Sequence, residues 1–143
     1  IHAYLKGDCI ECMACSDNVV RAGLTPKYQD VETLLSMLEY EMSDANSRIF
    51  QSTTLDQNCQ LFDPPVPDFA VEAIKVGVNS CYSLRKTDSC SVLLVVTGSA
   101  SVTSSVPDSP APPSSVVRGS VLFLPANYTI TLQASEDLVA FRA

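Results

Sequence analysis

From residue 61 to its C-terminus the chain is cut into short apolar runs by turn-forming residues, and that spacing constrains the fold more than any other feature. Candidate strands recur at Phe69 to Val76, Ser80 to Arg85, Val92 to Val96, Ser99 to Thr103, Val121 to Leu124, Tyr128 to Leu132 and Leu138 to Arg142. Turn signals separate nearly all of them, which is the pattern of an all-β sandwich or barrel. The run Phe69 to Val76 reads equally as a helix, its periodicity being ambiguous. Asp63-Pro64-Pro65-Val66-Pro67 ahead of it is extended, and the Ser/Pro-rich run Ser104 to Ser115 is expected to be an exposed loop.

The first sixty residues have a different texture. Between Asp8 and Leu24 alternation puts Cys9, Glu11, Met13 and Cys15 on one face and Ile10, Cys12 and Ala14 on the other, which predicts a strand ending at the turn-prone Ser16-Asp17-Asn18. A second short strand is expected over Val19 to Leu24. Asp30 then stands where an N-cap belongs, ahead of Val31, Leu34, Leu35 and Leu38 at helical spacing with Glu32 in the first turn. Residues 41–60 are polar and aperiodic, as in a surface connection where a domain boundary would lie.

At 143 residues the chain has the length of one ordinary domain, and a chain of that size buries about 68–70% of its unfolded surface, so a core forms without staples. A net charge of −7 and a pI near 4.4 give no basic footprint for a nucleic-acid backbone or an anionic membrane surface. The longest apolar run, Val92 to Val96, is far short of the roughly 18 residues that span a bilayer. Ile1-His2 opens in mid-pattern, with neither a start methionine nor an apolar leader, so the chain reads as a piece of something longer.

Three of the six cysteines crowd into residues 9–15 as C-x-x-C-x-x-C, and Cys59, Cys81 and Cys90 are scattered. That is no disulfide framework, and the six read as reduced thiols. An iron–sulfur run needs a fourth thiolate and a loop curled around the metal. On an extended strand residues 9, 12 and 15 alternate faces, so packing is the reading their geometry favours. Asn127-Tyr128-Thr129 has the form of a glycosylation sequon, but nothing else points to a secretory route.

Gly119, five residues, then Pro125-Ala126-Asn127 resembles the second signature of the cupin superfamily, in which glycine opens a turn, a strand follows and proline makes the next corner. A plain β-turn between two strands explains the same residues. Metal-binding cupins place a histidine three residues after that corner, where this chain has Ile130. An apolar side chain coordinates nothing, so a C-terminal barrel of this kind is expected to be metal-free.

A longer resemblance lies at the N-terminus. His2-Ala3-Tyr4-Leu5, Gly7-Asp8, Glu11, Met13-Ala14, Ser16-Asp17-Asn18-Val19, Arg21 and Gly23-Leu24-Thr25-Pro26-Lys27 are similar, nearly residue for residue, to the last catalytic segment of the type I phosphomannose isomerases. "DPPVPDF" and "GSVLFLPAN" look like the C-terminal portion of their animal and fungal members. The resemblance implies a mainly β, cupin-type jelly-roll (double-stranded β-helix) fold with one short helix near residues 31–40. Its domains would be 1–28, the final segment of the catalytic cupin domain; 29–60, a helix and surface connection; and 61–143, a metal-free cupin-like β domain.

It also implies a cytoplasmic, monomeric parent enzyme that uses Zn2+ to interconvert mannose 6-phosphate and fructose 6-phosphate, feeding GDP-mannose synthesis, with a phosphosugar and neither nucleic acid nor membrane as partner. The family holds its zinc by a glutamine, two histidines and a glutamate. His2 matches the second histidine, and the other ligands would lie upstream of Ile1. Arg21 matches an arginine set against the sugar oxygens, and Asp17 a carboxylate in proton transfer between C1 and C2. Lys27 and Glu11 match a lysine and an acid of the same pocket. As one ligand makes no site, this chain alone is expected to be inactive.

The residues taken by themselves leave other readings open. A lone histidine is ordinarily a surface or packed residue, and Arg21 and Lys27 ordinary surface cations. Glu11 among Cys9, Met13 and Cys15 must meet a cation, a metal or water, since a buried unpaired carboxylate is costly. Two further functions stand beside the isomerase: a non-catalytic cupin-like binding or structural module over residues 61–143, and a thiol-based metal or redox protein.

Overall fold

The computed structural model describes residues 3–15, 19–104 and 111–143, so His2 and Asp17 of the expected site lie outside the described residues. The chain divides into two compact units, residues 1–50 and 51–143.

In the first unit the expected helix is present as α1, Val31–Met37, with the Asp30 carboxylate accepting from the Thr33 amide as its cap. A 3-10 turn, Ala45–Arg48, is capped in the same way by Asp44. The strands expected between Asp8 and Leu24 do not form among the described residues. Alternation marks which face a strand would bury, but a strand exists only as a ladder with a neighbour, and no described segment of this unit pairs with residues 8–15 or 19–24. Met13 and Leu24 are left exposed.

The second unit is built of antiparallel strands: β1 Thr53–Thr54, β2 Cys59–Phe62, β3 Val71–Val76, β4 Cys81–Ser83, β5 Ser91–Thr97, β6 Ser99–Ser104, β7 Ser115–Val117, β8 Val121–Leu124, β9 Ile130–Ala134 and β10 Leu138–Arg142. From β3 onward the pairing is nested: β3 with β10, β4 with β9, β5 with β8 and β6 with β7. Adding β10 to β5 and β9 to β6 gives sheets ordered β3-β10-β5-β8 and β4-β9-β6-β7, the jelly roll expected of a cupin. The β1–β2 hairpin extends the first sheet beyond β3.

Phe69 to Val76, open to a helical reading, supplies β3. β1 and β2 correct the expected surface connection over residues 41–60, and β7, not anticipated, begins at Ser115, the last residue of the expected Ser/Pro loop. All three are short, and β2 and β7 each have a single fully buried position, Cys59 and Val116.

Each strand sends alternate residues inward. Ile74, Leu93, Val95, Leu138 and Ala140 of one sheet meet Val102, Val116, Ile130 and Leu132 of the other in one apolar cluster. Burial of each such Ile, Leu or Val contributes about 1.5–3 kcal/mol, which is what joins the sheets face to face. The corners follow from the residues at them. In the turns ending at Ser80, Ser120 and Tyr128, each closed by an amide-to-carbonyl bond, Asn79, Gly119 and Asn127 take the third place with positive φ of 61°, 85° and 61°. The strand following Gly119 and the Pro125-Ala126-Asn127 corner are thus where the cupin signature puts them.

Candidate functional site

The residues that the resemblance assigned to chemistry lie in the first unit, and the described ones fall into two local constructions. Tyr4 and Glu11 form the first. The Tyr4 hydroxyl donates to Glu11 Oε1 at 2.8 Å, so the carboxylate that alternation placed on a strand face is instead exposed and held by a phenol. That hydrogen bond to Glu11 is the main cause that raises the Tyr4 ionisation above its ordinary value.

The loop from Arg21 to Asp30 is the second. Thr25 N donates to Gly23 O at 2.9 Å, a tight turn made possible by the φ of +80° at Gly23. Lys27 N donates to Thr25 Oγ1 at 3.2 Å, and Gln29 Nε2 to Thr25 O at 3.1 Å. Asp30 N closes the loop on Arg21 O at 2.9 Å. Arg21 is half-buried and Lys27 exposed, so the structure brings these two cations into one loop, and α1 starts where that loop ends.

Among the described residues no ion pair joins Glu11 to Arg21 or Lys27. The alternation of residues 9–15 did not disclose Tyr4 as the partner of Glu11, because a phenol seven positions away has no periodic relation to it. The Asp30 cap was legible, its bond to Arg21 was not.

The described residues hold no group of three or more His, Cys, Asp or Glu side chains able to cage a metal ion. They therefore do not fit a zinc site of their own. No described helix is long and apolar enough to cross a membrane.

Among its described residues the second unit contributes no comparable polar site. Ile130, which stands at the cupin ligand position, is fully buried in the apolar core. A cavity lined by Pro112, Pro113, Leu122, Phe123, Leu124 and Tyr128 carries no charged side chain among its described lining residues, which does not suit a phosphosugar. Among the described residues of this unit, a buried ionic group missed in the sequence is Glu72 with Arg142 and Arg85. The available signal was a charged residue at inward positions of two otherwise apolar strands.

Comparison with known proteins adds an independent line. The family model described as phosphomannose isomerase type I C-terminal matches residues 60–107. Mannose-6-phosphate isomerase of Macaca fascicularis is 48% identical over 147 residues, covering 99% of this chain and 34% of that protein. The Homo sapiens enzyme is 46% identical over the same shares. The chain thus spans about a third of the length of the curated relatives it matches. Among solved structures, mannose 6-phosphate isomerase from Salmonella typhimurium, described as bound to its substrate fructose 6-phosphate and zinc, superposes with a TM-score of 0.67 at 25% identity, over 87% of this chain and 30% of that one.

Proposed function

Because the chain corresponds to the C-terminal part of the type I mannose-6-phosphate isomerases, we propose that it supplies the substrate-facing residues of an aldose–ketose isomerase interconverting mannose 6-phosphate and fructose 6-phosphate. The similarity that runs through 99% of the chain, the Arg21 loop included, carries this reading.

Moving a carbonyl from C1 to C2 passes through an enediolate, which develops negative charge on O1 and O2. The Arg21 guanidinium, planar and always charged, stabilises that charge from a fixed position. Asp17 takes the proton from one carbon and returns it to the other. Lys27 adds a second cation facing an anionic substrate, and Glu11, held by Tyr4, keeps its carboxylate oriented in the same pocket. Zinc belongs to this reading through the Salmonella enzyme. Of the ligands that the family pattern implies, only His2 is in this chain, and no step is derived through the metal. The reading carries with it a cytoplasmic enzyme that feeds GDP-mannose synthesis.

Ile130 favours a second, compatible role for residues 61–143. A barrel whose would-be ligand position is apolar and buried serves as an accessory module bracing the catalytic part.

The test is a chimera in which these 143 residues replace the matching part of the Macaca fascicularis enzyme. Zinc-dependent conversion of mannose 6-phosphate that is lost on Arg21→Ala supports the isomerase reading, and a folded, zinc-loaded chimera without activity overturns it. The isolated chain is expected to be inactive in the same assay.

A further inference from the structure

We propose that Asp30 is a positioning residue for Arg21, fixing the 21–30 loop through the N-cap of α1. The inference rests on the isomerase reading for the role of Arg21, and on geometry for the rest.

An N-cap residue is half in its helix. Its carbonyl takes the first intrahelical bond while its own amide points backward, outside the helical ladder. Here Leu34 N donates to Asp30 O at 3.1 Å, and the backward-pointing Asp30 N donates to Arg21 O at 2.9 Å. The direction of that amide is set by the Asp30 side chain. Its Oδ1 accepts from Thr33 N at 3.0 Å and its Oδ2 from Thr33 Oγ1 at 2.8 Å, a two-point hold on the residue's backbone at φ −120° and ψ 81°.

Releasing the carboxylate frees the backbone of Asp30 to rotate and swings its amide off the Arg21 carbonyl. The same bonds hold the carboxyl below its ordinary pKa, as expected where the ionised form is the acceptor.

The rest of the loop makes the link effective. Between its tied ends it is braced by the Gly23–Thr25 turn and by the bonds of Lys27 and Gln29 to Thr25. A closed loop braced inside turns as a body when one end is released. α1 buries none of its residues, so its cap holds no core in place. Stabilising a transient enediolate demands a preorganised guanidinium, and a small displacement of that group is felt in kcat.

Steady-state kinetics of a full-length, zinc-loaded enzyme carrying this segment test the link. Asp30→Ala is expected to lower kcat about tenfold and to leave KM for mannose 6-phosphate within about twofold. Asp30→Asn, an equally good cap, restores kcat. In an Arg21→Ala background Asp30→Ala takes nothing more from the residual rate, because the residue acts through Arg21.

An active enzyme indifferent to Asp30→Ala overturns this inference alone, as does a loss that adds in full to that of Arg21→Ala. An unsubstituted enzyme without isomerase activity overturns the isomerase reading and this inference with it.

Discussion

Glu72 and Arg142 are register partners on β3 and β10 and are also ion-pair partners, with Arg142 Nη2 2.7 Å from Glu72 Oε1 and both side chains almost wholly buried. Arg142 Nη1 donates to the Arg85 carbonyl at 2.8 Å, and the half-exposed Arg85 side chain reaches the same glutamate oxygen. One carboxylate thus answers two guanidiniums and ties the first and last strands of the jelly roll to the segment after β4. Glu72→Ala leaves Arg142 charged and unanswered in the core, and is expected to cost about 3–5 kcal/mol in chemical denaturation. Replacing the pair together, Glu72→Met with Arg142→Leu, is expected to restore most of that. Equal destabilisation by the double replacement would show that the attraction outweighs the cost of burying the charges.

Gly98 joins β5 of one sheet to β6 of the other, and its φ of +79° coincides with a close approach, since an added Cβ would lie 2.3 Å from the Asp137 carbonyl oxygen. That oxygen is backbone and has no rotamer by which to retreat. Gly119 has a similar φ of +85° with nothing within 4 Å of its would-be Cβ. Gly119→Ala is therefore expected to cost only the left-handed backbone, about 1–2 kcal/mol. Gly98→Ala adds a steric clash and should lower stability by clearly more, which thermal melts of the two variants compare directly.

What the sequence disclosed follows from where its signals are local. β5, β8 and β10 were legible because each carries a run of Val, Ile, Leu or Phe between turn residues, and the corners at Gly119 and Asn127 because few other residues accept those φ values, whereas β3, with Glu72 and Lys75 among its apolar residues, read equally as a helix. β7 was missed because it is three residues long, directly after a Ser/Pro-rich run, and Val116 is its only buried residue. The strand expected at Cys9 to Cys15 failed for the opposite reason. Its alternation is real, but pairing is a relation between segments, and no described segment of its unit pairs with it. In the candidate site the bonds that matter, Tyr4 to Glu11 and Asp30 to Arg21, span seven and nine positions through loops, where no periodicity points to them.

The α1 cap has a definite pH dependence. Asp30 is held below its unfolded value, first by the Thr33 amide and then by the Thr33 hydroxyl. A lowered carboxylate stabilises the capped form above the unfolded pKa of about 3.9, and that contribution disappears as pH falls through the folded value. The Thr33 amide resonance is expected to titrate with a midpoint below about 3.9 and to move toward its uncapped position in acid. Asp30→Asn, which caps without titrating, should abolish the transition. A midpoint at or above the ordinary aspartate value would mean that the carboxylate does not hold Thr33 in solution.

Cys59 differs from its five counterparts. It is buried on β2 against the core, and burial first of all pushes its thiol above the ordinary range. Tyr82, whose hydroxyl donates to Asp56 Oδ2 at 3.1 Å, is raised as well, chiefly by burial. Cys9, Cys15, Cys81 and Cys90 are exposed and Cys12 is half-buried. A thiol reagent at neutral pH should modify the exposed four at once, Cys12 more slowly, and Cys59 only at the rate at which the barrel opens. Rapid loss of all six thiols would contradict the burial of Cys59.

Ile130 offers the sharpest test of what the second unit is for. It begins β9 with no exposed surface, and its carbonyl accepts from Leu84 N at 3.0 Å. If the barrel had lost a metal by one substitution, Ile130→His would bring metal binding back. Nothing described supplies companions, because Ile130 belongs to an apolar core cluster that includes Leu84, Val102, Tyr128 and Leu132, and no group of three or more His, Cys, Asp or Glu able to hold a metal exists among the described residues. The imidazole would enter an apolar interior without a partner, at a cost of about 2–4 kcal/mol. The variant is therefore expected to melt earlier than the parent and to bind no zinc in equilibrium dialysis. Stoichiometric zinc uptake with recovery of the melting temperature would instead make the barrel a dormant metal site rather than a brace.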